Sequence, residues 1–262
     1  ALLTGHIEVH ETGAIEATGH KIISMSGREG KLYPSDVRQA VEAHTDEHMV
    51  KPRLVYISNA TEVGSIYTKD ELKALSETCR ALGLLLFMDG ARLGSALTSD
   101  KNDLTLGDIA SLVDAFYIGG TKNGALVGEA LVICTESLKA DFRFHIKQKG
   151  ALLAKGRLLG IQFTELFRGN LFFELARHAN AMAAKIQGAL IALGCPLLLH
   201  SPSNQIFPIL PNQVIAELVA KEYSFEVQKR MDDDHTMIRL VTSWATREDA
   251  VDEFIADLKK LL

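Results

Sequence analysis

Residues Leu84 to Met88 read LLLFM, an apolar run with no polar face, and no other segment constrains the fold as tightly. A strand that is apolar on both sides belongs inside a helix-covered sheet, the usual setting of a parallel strand. The flanking sequence repeats the signal. Leu54 to Ile57 (LVYI) is a second short apolar run, and Ala115 to Ile118 and Ala130 to Cys134 are two more. Between the first pair, Thr68 and Glu71 form a T-x-x-E capping box ahead of Leu72, Leu75, Cys79 and Leu82, which share one helical face. Gly83 stands where a helix should stop. An earlier helix opens at Pro34 and Ser35, carries Val37, Ala40 and Val41 at helical spacing, and runs to about His44. Helices alternating with buried strands predict an α/β fold with a mostly parallel sheet wrapped by helices.

After Cys134 the pattern changes. Helical segments dominate, the longest from about Leu171 to Leu193 and closed by Gly194. A mixed region follows: a strand at Gln205 to Ile209, a helix from about Gln213, strands around Phe225 and Met237 to Thr242, and a last helix from Thr246. The expected organisation is a large domain over residues 1–193 and a smaller α+β C-terminal domain over 194–262. The net charge of −5 and the absence of any basic run give no footprint for nucleic acid or anionic membrane. Cys79, Cys134 and Cys195 are an odd, scattered set without CxxC, which fits a reducing, cytoplasmic setting. No apolar run approaches the roughly 18 residues of a membrane span. The chain opens on Ala1 with neither an initiator Met nor a signal-peptide layout, so it is expected to begin inside a longer product.

Two loops carry chemistry. Asp89-Gly90-Ala91-Arg92 directly follows LLLFM, and ligands of open α/β sheets bind at the carboxyl ends of strands. A buried carboxylate stays ionised only beside a cation, which could be Arg92 or a protonated ring of a ligand. Taken alone, Asp89 could equally be a loop or capping residue. Lys122 lies just beyond the Ala115–Ile118 run, in the glycine-rich stretch IGGTKNG. Asn123 after the lysine is not the Ser or Thr of a phosphate-binding P-loop. Glycines on both sides let backbone pack around a single functional side chain, and a partly desolvated lysine is a competent amine nucleophile. Most loop lysines are simply solvated. The two motifs together are more specific than either alone. A carboxylate after one buried strand and a lysine after a later one match the large domain of fold-type I pyridoxal-5′-phosphate (PLP) enzymes. There the lysine anchors the cofactor aldehyde and the carboxylate keeps the ring nitrogen protonated. A dinucleotide-binding GxGxxG is absent after the early strands, which disfavours a dehydrogenase.

The chain resembles the threonine aldolase branch of the β-eliminating lyase family. The resemblance is carried, in the family's order, by Gly5-His6-Ile7 with Glu11-Thr12-Gly13-Ala14, by Ser58-Asn59-Ala60-Thr61-Glu62, by Asp89-Gly90-Ala91-Arg92-Leu93, by Gly120-Thr121-Lys122 and by Arg239-Leu240-Val241-Thr242. It implies a PLP-dependent cleavage of a β-hydroxy-α-amino acid, such as threonine or allo-threonine, to glycine and an aldehyde. Lys122 would carry the cofactor, Asp89 would face its ring nitrogen, His6 would stack on the ring and Thr121 would contact it. Arg239 would grip the substrate carboxylate, with Arg92 beside it or near the ring hydroxyl. The plainer reading of Arg239 is a surface arginine pairing with an Asp or Glu, since the nearby stretch Met231–Asp234 is acidic. No metal is implied, and a homodimer or homotetramer is.

Two departures stand out. Family members carry a Gly/Thr phosphate loop in a stretch that would precede Ala1. Lys155 or Arg157 could reach a phosphate instead, including that of a neighbouring subunit. A histidine common in the family's counterpart of Asn59–Glu62 is here Thr61, which leaves His6 or a bound water as the general base. The competing expectations are a β-eliminating lyase acting on another amino acid and a non-catalytic protein that keeps the fold.

Overall fold

The Thr68 capping box forms as its spacing predicts. In the computed structural model, which describes residues 1–262, Glu71 N donates to Thr68 Oγ1 (3.3 Å) and Thr68 N donates to the Glu71 carboxylate (2.9 Å). The helix so started, α3, spans Lys69–Ala81, after α1 (His6–Val9), α2 (Pro34–Glu42) and β1 (Leu54–Ser58). Then come β2 (Leu85–Asp89), α4 (Leu93–Leu97), α5 (Leu106–Leu112), β3 (Ala115–Ile118), β4 (Ala130–Ile133), α6 (Phe142–Gln148), α7 (Arg157–Phe167) and the long α8 (Leu171–Ala192). The chain ends with β5 (Gln205–Ile206), β6 (Ile209–Pro211), α9 (Asn212–Ala220), β7 (Glu226–Arg230), β8 (His235–Val241) and α10 (Glu248–Leu261).

The first sheet has the order β1-β2-β3-β4. β1, β2 and β3 are mutually parallel, while β4 returns antiparallel to β3 after the glycine-rich loop. Strand alternation sorts the side chains between two faces. Val55, Ile57, Leu86, Met88, Phe116 and Ile118 are buried in one core with Leu72, Leu75 and Cys79 of α3. The opposite face differs from the sequence expectation for LLLFM: Leu85 and Phe87 are only half-buried. Phe87 sits in a row of rings, with Tyr56 at 5.7 Å and Tyr117 at 6.2 Å between centroids. This row leads up the sheet to Asp89.

The second sheet is built on β8. β5 and β6 pair with one side of it in succession, and β7 pairs with the other. The single strand expected at Gln205–Ile209 is therefore broken at Phe207 and Pro208, as a proline without an N–H requires. This sheet packs with α9, α10 and the second half of α8 in a separate core that includes Met182, Ile186, Leu190, Ile238 and Phe254. Phe172, near the start of α8, belongs to the first core. Buried polar bonds also cross between the two halves: Gln205 Nε2 donates to Thr61 O (3.0 Å), Ser201 Oγ to Gly64 O (3.0 Å), and Asn204 N to Ser95 Oγ (3.0 Å).

Two glycines bring the sheet's working loops together. A Cβ at Gly90 would collide with Tyr117 O, and one at Gly119 would collide with Ala91 O. Their backbones instead touch directly, with Gly119 N donating to Gly90 O at 2.8 Å. Gly90→Ala should cost about 1–3 kcal/mol through overpacking, lowering Tm by several degrees in a thermal melt. In α8, nothing lies within 4 Å of the place a methyl group would take at Gly188, so Gly188→Ala should raise Tm through helix propensity. A neutral Gly90→Ala would contradict the close approach.

Candidate active site

The carboxyl ends of β1, β2 and β3 open into a cavity of about 410 Å³. Of the site residues read from the sequence, His6, Asp89, Arg92, Thr121 and Lys122 line it together. Arg239 is not part of the lining, yet its charge acts on both Arg92 and Lys122. Lys155 and Arg157 are exposed, outside the lining.

Asp89 ends β2 and is buried. Its Oδ1 accepts from Ala91 N (2.8 Å) and from the Tyr117 hydroxyl, and its Oδ2 accepts from the Tyr56 hydroxyl. Burial, followed by the charge of Asp89, raises the pKa of both tyrosines far above the ordinary range, so both hydroxyls keep their protons. Sequence reasoning missed this pair. Tyr117 sits on β3 with the parity of the Asp89 face, and an alternation count along AFYI would have found it.

Lys122 sits in a single 3₁₀ turn, Thr121–Asn123, immediately after Gly119 and Gly120. Glu129 pins the turn. Its Oε2 accepts from Gly120 N (2.6 Å), and its Oε1 accepts from Thr121 Oγ1 (2.8 Å). From behind, Asn123 Nδ2 donates to Phe172 O (2.8 Å). Desolvation and the neighbouring Arg92 charge lower the Lys122 pKa, against the opposing pull of Asp89 and Glu129. The amine is thus held closer to its neutral, nucleophilic form.

Two guanidiniums stand nearby. Burial, then the charge of Arg239, brings the Arg92 pKa down to about 10. Arg239 on β8 pairs with Glu226 on β7 at 2.7 Å, and its buried Nε has no partner. An acidic partner for Arg239 is the plainer expectation, and Glu226 supplies it, from outside the Met231–Asp234 stretch. Adjacent like charges with uncommitted donors are a ready-made site for an anion.

The opposite wall is acidic. His6 Nδ1 is 2.6 Å from Glu11 Oε1. Glu62 Oε1 accepts from Ser58 Oγ (2.6 Å) and from His6 N (3.1 Å). Thr61, where the sequence departs from the family's histidine, is buried and bonded to Ser65 Oγ at 2.7 Å. It does not face the cavity; its neighbour Glu62 does.

The profile of the β-eliminating lyase family matches residues 3–243. The chain belongs to this family. It is 35% identical over 270 residues to a low specificity L-threonine aldolase of a Pseudomonas species, covering 99% of this chain and 75% of that one. A low specificity L-threonine aldolase of Pseudomonas aeruginosa is 34% identical over 271 residues, with the same coverage. A solved structure of Leishmania major threonine aldolase superposes with a TM-score of 0.97 at 52% identity, covering all of this chain and 76% of that one.

Membership makes the protein a PLP-dependent lyase of the fold-type I architecture. The cavity suits that cofactor by its own groups. An amine of lowered pKa and a buried carboxylate share it. Asn59, whose N donates to Asp89 O, keeps a buried Nδ2 without a partner. The lowered pKa has a direct consequence. In cofactor-free protein at mildly alkaline pH, acetic anhydride should modify Lys122 faster than exposed Lys73 or Lys101, as read by peptide mass mapping. Equal rates would show that the Lys122 amine is not perturbed.

Proposed function

We propose that this protein cleaves β-hydroxy-α-amino acids such as L-threonine or L-allo-threonine to glycine and an aldehyde. The observation that carries the reading is one cavity holding Asp89, Lys122 and Arg92 together, with the charge of Arg239 acting on it. The threonine aldolases among its relatives support the choice of reaction.

In this reading Lys122 would hold PLP through its amine, Asp89 would pair with its ring nitrogen, and His6 and Thr121 would contact it, all four lining the cavity. When bound, PLP supplies an electron sink for the pair left at Cα. The rest falls to the protein. Tyr56 and Tyr117 each donate to Asp89, which fixes the plane of its carboxylate. Arg239, with Arg92, holds the substrate carboxylate and thereby sets the orientation of the Cα–Cβ bond. A planar guanidinium suits a two-point grip on that group. Lys122, whose amine has a lowered pKa, would also supply the proton returned at Cα.

A homodimer or homotetramer completes the proposal. Phe144, Leu158 and Ile161 on α6 and α7 are exposed apolar side chains that a second copy would cover. No helix is long and apolar enough to cross a membrane, and we place the protein in the cytoplasm.

The deciding assay compares products: acetaldehyde and glycine from threonine against pyruvate from serine. Acetaldehyde from wild type, lost in Lys122→Ala, is the expected result. Pyruvate without acetaldehyde would reassign the protein to β-elimination. Arg239→Lys should raise KM for threonine by about tenfold or more, which corresponds to about 1.4 kcal/mol. An unchanged KM would remove Arg239 from carboxylate binding.

A further inference from the structure

We infer that Glu62 is the group that takes the proton from the substrate's β-hydroxyl. This rests on the aldolase reading above and names a residue for the step which that reading leaves without a base.

The carboxylates around the cavity are unequally committed. Glu11, Glu62, Asp89 and Glu129 all line it. Asp89 has donors on both oxygens, from two tyrosines and Ala91 N. Glu129 also has both oxygens engaged, by Gly120 N and by Thr121. Glu11 is tied to the His6 imidazole at the exposed rim. Glu62 differs. Its Oε1 takes both Ser58 Oγ and His6 N, while Oε2 accepts nothing from the protein. The side chain is therefore anchored through one oxygen and offers the other. A fixed acceptor is what general-base catalysis needs.

The surrounding loop is held as firmly as the side chain. Thr61 O accepts from Gln205 Nε2 and Gly64 O from Ser201 Oγ, both at 3.0 Å, so the second half of the molecule braces the segment on either side of Glu62. Ser58, opposite Asp89 in the β1–β2 register, brings Glu62 to the same end of the sheet as that acid. The negative charge of Glu62 acts on Arg92, which puts it within reach of the proposed carboxylate grip. His6 is the other basic group on this wall. Its Nδ1 is engaged by Glu11 and its backbone hangs on Glu62, so the imidazole is oriented by these two acids.

The step balances without a further reactant. The β-hydroxyl proton moves to Glu62 Oε2, and the O–H pair becomes the second bond of the aldehyde carbonyl. The Cα–Cβ bond breaks and leaves its pair on Cα, which takes up a proton to give glycine. Glu62 passes its proton to water, so no net proton is gained or lost.

Glu62→Gln separates chemistry from support. The glutamine carbonyl can still accept from Ser58 Oγ and His6 N, but its amide cannot take a proton where Oε2 stands. With the PLP-loaded protein we expect kcat for threonine cleavage to fall by about 100-fold or more. Tm should be unchanged, and glycine affinity by calorimetry and the rate of exchange of the glycine α-proton for deuterium should stay within about threefold of wild type. Glycine has no β-hydroxyl, so its exchange does not need this base. Cleavage that persists in Glu62→Gln would overturn the assignment. So would a parallel loss of cleavage, exchange and glycine binding, which would make Glu62 a positioning residue. If wild type forms no acetaldehyde but binds and exchanges glycine, the aldolase reading itself has failed.

Discussion

The active cavity depends on two backbones that touch. Gly119 N bonds to Gly90 O, and neither residue has room for a side chain where the loops meet. One loop follows the strand that ends in Asp89, and the other leads to Lys122. Any larger residue would push the two loops apart and enlarge the gap between acid and amine. The parallel register of β2 and β3 supplies the direction, and the glycines supply the distance.

Around that junction the charges are distributed unequally. The acids Asp89 and Glu129 are saturated with donors, which suits groups that must stay where they are. The bases are left short of partners. Lys122 and Arg92 both have lowered pKa values, chiefly from desolvation, with neighbouring cations adding to it. A cavity arranged in this way favours an incoming anion, because such a ligand relieves the repulsion among these cations. An amino acid brings such a group, and so does a phosphate ester. In the proposed reading, Arg239 on the second sheet adds its charge to this pull.

Much of this was legible in the residues. Alternation and caps located β1, α3, β2 and β3, since the Thr68 box and the LLLFM run depend on local rules. DGAR and GGTK could be recognised because an acid and an amine just beyond strand ends stand where open α/β sheets bind ligands, and both line the cavity. Alternation along AFYI puts Tyr117 on the Asp89 face, but the hydrogen bonds of Tyr56 and Glu129 were not legible, because they depend on a strand register and a loop closure that no local pattern encodes. Thr61 shows the same limit in reverse. Counting along the segment aligned it with a catalytic position, whereas the turn that follows β1 buries it and brings Glu62 inward. The reversal of β4 was likewise hidden, since an apolar run is the same read in either direction.

The helix α8 runs for 22 residues, about 33 Å at the usual rise. Phe172 at its start is packed with the first sheet and Leu190 near its end with the second. Thr242, three residues beyond Arg239, is bonded to the middle of this rod through Ala179 O at 2.6 Å. The helix therefore spans both cores and ties the strand that carries Arg239 to the half of the molecule that holds Lys122. Under the aldolase reading, bending or shortening this rod would misplace Arg239 against the cavity without touching any residue of its lining.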